Sequence, residues 1–516
     1  MTRGRKNNSA VMKISGPVMQ WTVVFVVGVV VVAVVLGLKL IPRLNAGQDV
    51  LDGARPAFTS QRVAADRAGI NIASQVVDMS DPIVNEQGGA AAEVPKVVAY
   101  VAKARGVSDA KALAALDKEF PHTTALLKSL PLSSVTTEIP KLVAFLATSL
   151  KLTPDQVSVA LAKNFPAINQ AVTNLPTVTN GWEKIAGING LTRFDGTAVQ
   201  NVPQLRDYYS KDLIPVVERE QGNFRSLDGT SKVNWIAPLL LVVGLVVMAL
   251  AGLMIFRSRS GAAGVEALGA AAIVPVVGVV VVALVLGLKL IPRTSDGQHL
   301  LDGLKPAMTA ERVAGDRAGI TMVAAIVTTA DPIVTDQGGA AAEVPKLVAF
   351  VAKGTGLSQP AVLAALTKNF PHTTALLQAL PLTEVAKELP AVTKALAPAL
   401  PSVPRITQSV TALQQVTAGW LAVPGVNGAT RFNGSPIQTV ANVRDYFSGD
   451  VIPVLETQRA HFNKLNGTSN INFIGPLVFA VGLIVILFGL FMVYTARRVP
   501  PPLPAPAKQP EATQPV

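Results

Sequence analysis

Four apolar runs of about twenty residues dictate what this chain can become. They are Val18–Leu38, Trp235–Phe256, Leu268–Leu288 and Ile474–Tyr494. At about 1.5 Å per helical residue, each is long enough to cross a hydrocarbon core of roughly 30 Å. None contains Asp, Glu, Arg or His. A buried helix of a soluble protein seldom runs this far without a polar residue. Of the whole chain, 50% is hydrophobic and only 15% charged, with a mean hydropathy of +0.42. A soluble protein needs more charge on its surface than that. The expected class is therefore an all-α, polytopic membrane protein with four transmembrane helices.

The 516 residues suggest two to four domains by length. The runs divide the chain into a cytoplasmic N-terminus (1–17), spans at 18–38, 235–256, 268–288 and 474–494, large segments at 39–234 and 289–473, a loop at 257–267 and a Pro-rich tail at 495–516. The first run is too long for the core of a signal peptide. No small-residue cleavage site follows it; the chain reads GLKLIPR, and the same heptapeptide follows the third run. Both are read as uncleaved helices.

Arg3, Arg5, Lys6 and Lys13 precede the first span, Arg257 and Arg259 follow the second, and Arg497 and Arg498 follow the fourth. The positive-inside rule places these three segments, and both termini, in the cytoplasm. Lys39, Arg43, Lys289 and Arg293 count against this orientation, but long translocated segments respond weakly to flanking charge. The two large segments are then extracytoplasmic. The Ala/Val bias and the absence of cysteine fit a bacterium with a GC-rich genome, and hence the bacterial plasma membrane. Without cysteine, disulfides, thiolate metal sites and cysteine nucleophiles are excluded.

The chain also repeats itself. LGLKLIPR at 36–43 returns at 286–293, RVAADRAGI at 62–70 as RVAGDRAGI at 312–320, QGGAAAEVPK at 87–96 unchanged at 337–346, and FPHTTALL at 120–127 at 370–377. The offset of 250 later falls to 238, where Gly181 and Trp182 match Gly419 and Trp420. The second copy has thus lost twelve residues between about 390 and 420. Both copies read span, large segment, span in one orientation, which is a parallel repeat. The expectation is two duplicated, large, helical extracytoplasmic domains. A shorter repeat lies within the first: VPKVVAYVAKARGVS (94–108) resembles IPKLVAFLATSLKLT (139–153).

These units read as short helices. Pro95 suits a first helical turn, and Gly106 a helix end. Ser108, Thr153 and Ser358 are placed as N-caps, and Phe120-Pro121 breaks the chain before a third helix. Residues 44–79 read as one helical arm kinked at Pro56, and 203–227 as a returning arm. GINGLTRFDG (187–196) and GVNGATRFNG (425–434) read as glycine-rich hairpin turns. The tail, VPPPLPAPAKQPEATQPV, is polyproline-like and suited to docking a cytoplasmic partner.

Few residues invite chemistry. Arg62, Asp66 and Arg67 recur as Arg312, Asp316 and Arg317. The four-residue spacing of Arg62 and Asp66 fits an ion pair on one helix face, with an anion or headgroup site as the competing reading. His122 and His372 stand alone, too sparse for a metal site and better suited to helix starts. Glu93 and Glu343 lack the second carboxylate that acid catalysis would need. QGG is no phosphate loop, and no zincin, hydrolase or dinucleotide motif occurs. Small residues seven apart, Gly244 with Ala251 and Gly482 with Gly489, give the spans close-packing faces and a route to oligomers.

The net charge of +12 is not gathered into a basic stripe with aromatics, so nucleic acid is not an expected partner. No cofactor or metal is expected. The function expected is a non-enzymatic integral membrane protein of the bacterial cell envelope. Its partners are membrane lipid and, through the extracytoplasmic domains acting as binding or scaffold modules, protein or envelope components. The alternative is a component of a transport or channel complex.

Overall fold

The computed structural model describes residues 16–84, 89–228, 232–259, 266–335, 339–466 and 470–497. The Pro-rich tail, the first fifteen residues and most of both QGG segments lie outside them. The described chain is helical, apart from one isolated bridge in each glycine-rich hairpin, Thr192 to Ala198 and Thr430 to Pro436.

The first half begins with α1 (Gly16–Gly37), α2 (Leu40–Ala54) and α3 (Ser60–Val84). Six short helices follow: α4 (Ala90–Arg105), α5 (Asp109–Glu119), α6 (Pro121–Ser129), α7 (Leu132–Leu150), α8 (Pro154–Asn164) and α9 (Pro166–Trp182). After the hairpin come α10 (Val202–Asp207), a π turn at Tyr208–Leu213, α11 (Ile214–Leu227) and α12 (Ile236–Arg259). The second half runs through α13 (Glu266–Gly287), α14 (Leu290–Leu304), α15 (Ala310–Val334), α16 (Ala340–Thr355), α17 (Gln359–Asn369), α18 (Pro371–Ala379) and α19 (Leu382–Leu396). It ends with α20 (Pro404–Gly419), α21 (Val440–Tyr446), a π turn at Phe447–Val451, α22 (Ile452–Asn466) and α23 (Ile474–Arg497). The residues missing from the second half correspond to α8: only a single 3-10 turn, Leu400–Ser402, stands between α19 and α20.

Local sequence explains most boundaries. Proline occupies the first or second position of α6, α8, α9, α17, α18 and α20, where its missing N–H is not needed. Thr153 closes a capping box with Gln156, and Ser358 accepts from the Ala361 N–H; Ser108 makes no such bond. Gly106 and Gly356 end α4 and α16 in the left-handed region. Two details differ from the sequence reading. The first arm is broken rather than kinked: α2 ends at Ala54 and α3 starts at Ser60, with Pro56 in the turn between. Helix α4 starts at Ala90, because Gly89 caps it in extended conformation, so Pro95 lies in its interior.

Four helices are long and apolar enough to cross a membrane by length and composition: Val18–Gly37, Ile236–Ser258, Ala310–Val334 and Ile474–Thr495. Ala272–Gly287 joins them when taken with Leu290–Leu304, from which it bends by 48°. Composition and packing separate these. Helix α15 carries Glu311, Arg312, Asp316, Arg317 and Asp331 and lies along α9. Helix α13 is apolar after Glu266 and runs along α23, as α1 runs along α12. On these grounds α1, α12, α13 and α23 are the helices best suited to cross a membrane, and α15 packs in a core of the second unit.

The chain forms two compact units. The first comprises the described residues within Met1–Asp52, Asn223–Leu301 and His461–Val516. Its apolar core brings Trp21 and Val24 of α1 together with Ala251 of α12, Val274 of α13 and Val485 of α23. Glycine lets the paired helices approach. A Cβ on Gly244 would lie 2.9 Å from Val32 Cγ2, and one on Gly482 would lie 2.8 Å from Val282 Cγ2. Two buried arginines cap helix ends across the halves. Arg43 donates to the Leu465 carbonyl at the end of α22, and Arg293 donates to the Leu227 carbonyl at the end of α11. A cation there satisfies orphan carbonyls and opposes the helix dipole.

The second unit is built from Gly53–Gly222 and Asp302–Ala460. The sequence placed one domain in 39–234 and another in 289–473; these two stretches of them instead share one body. A set of three short helices cannot enclose its own apolar face, and here each set closes on the other half. Helix α3 packs on α20, α15 on α9, and α6 on α18. The shared core holds Trp182 and Trp420, both fully buried, with Nε1 donating to Asp81 and Asp331.

Candidate functional site

The residues singled out by sequence lie where the halves clasp each other. Arg62 is in the first turn of α3. Its guanidinium donates to the Pro56 carbonyl at 2.7 Å, and to the Thr430 and Arg431 carbonyls of the other half's hairpin at 2.8 and 3.0 Å. It also stacks 4.8 Å from the Phe432 ring centroid. Arg312 does the same in reverse. It reaches Pro306 at 2.6 Å, Arg193 at 3.1 Å and Thr192 Oγ1 at 3.3 Å, and lies over Phe194 at 4.7 Å. Each hairpin is held in shape by its own half. Arg193 forks onto Asp212 at 2.9 and 3.0 Å, and Arg431 onto Asp450 at 3.1 Å.

One turn further on, Asp66 and Asp316 are buried at 8% and 2% exposure. They face Tyr446 and Tyr208 respectively, each from the opposite half. Oδ1 of both carboxylates and the hydroxyls of both tyrosines lack a well-aligned hydrogen bond. Burial without full pairing disfavours the charged form. It pushes both carboxyls up to about 7, against the opposing pull of Tyr446 and Arg62 at one site and of Tyr208 and Arg312 at the other. The two sites differ in one residue: Tyr209 donates to the Asp316 carbonyl at 3.2 Å, and its counterpart is Phe447. Arg62 and Asp66 thus share a helix face and Arg62 pulls on the Asp66 carboxyl, but apart from the Pro56 carbonyl the guanidinium's partners belong to the other half, as does Tyr446 facing Asp66. Arg67 and Arg317 stand apart, exposed and paired with Glu218 and Glu456.

A second set of contacts escaped sequence reading. Four glutamates place their carboxylates on helix N-termini, and each crosses between halves. Glu343 accepts from Ala167 and Ile168 at the start of α9, at 3.2 and 2.9 Å. Glu93 accepts from Ile406 of α20 at 2.9 Å. Glu388 accepts from His122 and Thr123 of α6, and Glu138 from His372 and Thr373 of α18, at 2.7 to 3.3 Å. Every glutamate precedes proline by two residues (EVP, EIP, EVP, ELP), and every receiving helix begins at Phe-Pro or Val-Pro. That fourfold recurrence was the available signal. The first N–H groups of a helix have no internal partner, and the dipole favours negative charge there.

The histidines join the same contacts. His122 Nδ1 is 3.0 Å from the Gln378 carbonyl, and His372 Nδ1 is 3.0 Å from the Lys128 carbonyl. Between α3, α10, α15 and α21 runs an apolar slot of about 50 Å³, lined by Ile70, Val77, Leu205, Ile320, Val327 and Val443. Arg206 and Arg444 also line it, and most of the remaining wall is apolar. Among the described residues no cluster of His, Cys, Asp or Glu could hold a metal ion. No known protein family, curated protein or solved structure matches the chain.

Proposed function

We propose that the chain is a non-enzymatic, multi-pass protein of the bacterial plasma membrane whose second unit serves as a binding and scaffold module of the cell envelope. On this reading the two halves arose by duplication, both termini are cytoplasmic, and the second unit is extracytoplasmic. The observation that carries it is the reciprocal clasp. The polar groups best suited to chemistry are engaged in joining the halves: four glutamates on helix ends, two histidines on carbonyls, two arginines on the opposite hairpin. Such a device gives a rigid body, and rigidity suits a platform for partners. The four apolar helices support membrane residence, and the arginines and lysines beside them support the orientation.

The test is chemical cross-linking of the full chain in native membranes, followed by identification of captured proteins, alongside reconstitution into liposomes. A reproducible envelope partner linked through the second unit is the expected result. Robust solute flux through the purified protein alone would replace this reading with the transport one.

A further inference from the structure

One group of helices in the second unit has a surface unlike the rest. Helices α7, α8 and α9 of the first half enclose a core with α16, α17 and α18 of the second, where Phe145 meets Phe370 and Phe165 meets Phe350 edge to face. Phe165 and Phe370 are buried, and Phe145 and Phe350 are partly buried against them. Six lysines lie on the outside: Lys141, Lys151, Lys163, Lys346, Lys353 and Lys368. None has an ion-pair partner among the described contacts. Of the three acids in these helices, Glu138 and Glu343 cap helix ends, which leaves Asp155 as the exposed one.

The same surface is apolar where it should be polar. Among the described residues, five large apolar side chains are exposed outside α1, α12, α13 and α23: Val107, Leu152, Val159, Leu357 and Leu421. Three of these, Leu152, Val159 and Leu357, belong to this group. Leu152 sits at the corner between α7 and α8, and Leu357 at the corner between α16 and α17. Helices α7 and α16 pack together, and Gly354 leaves no room for a Cβ because Leu150 fills the space. That approach sets the two corners side by side, with Lys151 and Lys353 beside the leucines. Lys151 also holds a left-handed conformation, φ 57°, where the matching corners use Gly106 and Gly356.

We propose that this corner binds the surface of an anionic phospholipid bilayer. Leu152 and Leu357 enter the headgroup region, and Lys151 and Lys353 meet lipid phosphates. Exposed leucines ringed by lysines are the composition of an interfacial contact, where apolar insertion and charge attraction add. A single-stranded nucleic-acid surface stacks bases on exposed aromatic faces, and the phenylalanines here pair with one another instead. The inference gives the module reading its partner chemistry and rests on it.

The test uses the full chain in nanodiscs of phosphatidylcholine, mixed with vesicles and floated on a density gradient. Vesicles containing a quarter phosphatidylglycerol should recover about tenfold more protein than pure phosphatidylcholine, and the difference should shrink in high salt. The double variants Lys151→Gln with Lys353→Gln, and Leu152→Ser with Leu357→Ser, should each abolish the difference at an unchanged melting temperature, because all four side chains are exposed. Equal flotation with both vesicle types overturns the proposal. So does wild-type flotation of the leucine variant, or tight binding of a single-stranded oligonucleotide that needs the lysines but not the leucines. If vesicle binding fails while an envelope protein still cross-links to the second unit, this inference falls and the module reading stands.

Discussion

The backbone N–H of Ile168 donates to the Glu343 carboxylate at 2.9 Å, across 175 positions of sequence. The N-terminus of α9 is thus completed by the other half of the chain. Glu343→Ala should leave two buried N–H groups without partners and lower stability by about 2–3 kcal/mol. Glu343→Gln, which keeps an acceptor, should lose less. Glu93→Ala removes the cap of α20, away from this site, so the two losses should add. Thermal unfolding of the detergent-solubilised protein measures all of them; losses within about 0.5 kcal/mol would mean that the caps are dispensable.

If the halves are held by such contacts, the connecting peptide should be expendable. A chain split between Ser260 and Gly261 and expressed as two polypeptides should co-purify as one complex. Independent migration of the fragments on a sizing column would contradict the clasp.

Asp66 and Asp316 predict a pH dependence with a definite sign. Burial raises both carboxyls to about 7, above the unfolded value near 3.9. In that window the folded protein binds the extra proton, so stability falls as pH rises from about 4 to about 7 and is flat beyond. Between pH 5 and pH 8 the loss should be roughly 2 kcal/mol per site. Asp66→Asn with Asp316→Asn should remove the slope and raise stability at pH 8. Melting curves that steepen in the opposite direction would refute the assignment.

Gly244 and Gly482 are contact points in the first unit. Leucine at either should push the paired helices apart and lower the melting temperature in detergent, while Val242→Leu, at an exposed position, should do little. Equal effects from all three would show that the glycines are not a seam.

The proposed orientation is open to a direct reading, since the chain has no native cysteine. Exposed positions Ser158 and Ser402, changed to cysteine, should react with an impermeant thiol reagent in intact cells. Cysteine at position 260, between α12 and α13, should react only after lysis. Labelling at 260 in sealed cells would reverse the topology.

What could be read from sequence was what is local. Apolarity over twenty residues marks α1, α12, α13 and α23 with no reference to the rest of the chain. Gly106, Gly356 and the prolines at helix starts act within one turn. The partners of Arg62 could not be read in this way. Its spacing from Asp66 offers a pair on one helix face, yet the guanidinium goes to carbonyls 368 and 369 positions away. Long-range pairing of this kind follows from how two half-enclosed cores meet, and no period in the sequence encodes it. The four glutamates stood in plain view before proline, but a carboxylate that caps another segment's helix looks, from its own segment, like an ordinary surface acid.

The distance from Ile168 to Glu343 also sets a delay during synthesis. At roughly 5–20 residues per second, a ribosome needs on the order of ten to thirty seconds to deliver the glutamate after the isoleucine has emerged. Throughout that interval α9 has an uncapped end and α3 an uncovered flank, since α20 is made later still. The nascent first half therefore carries an uncovered apolar flank until its counterpart arrives. Ribosome-bound chains stalled near residue 260 should be far more sensitive to protease than finished ones.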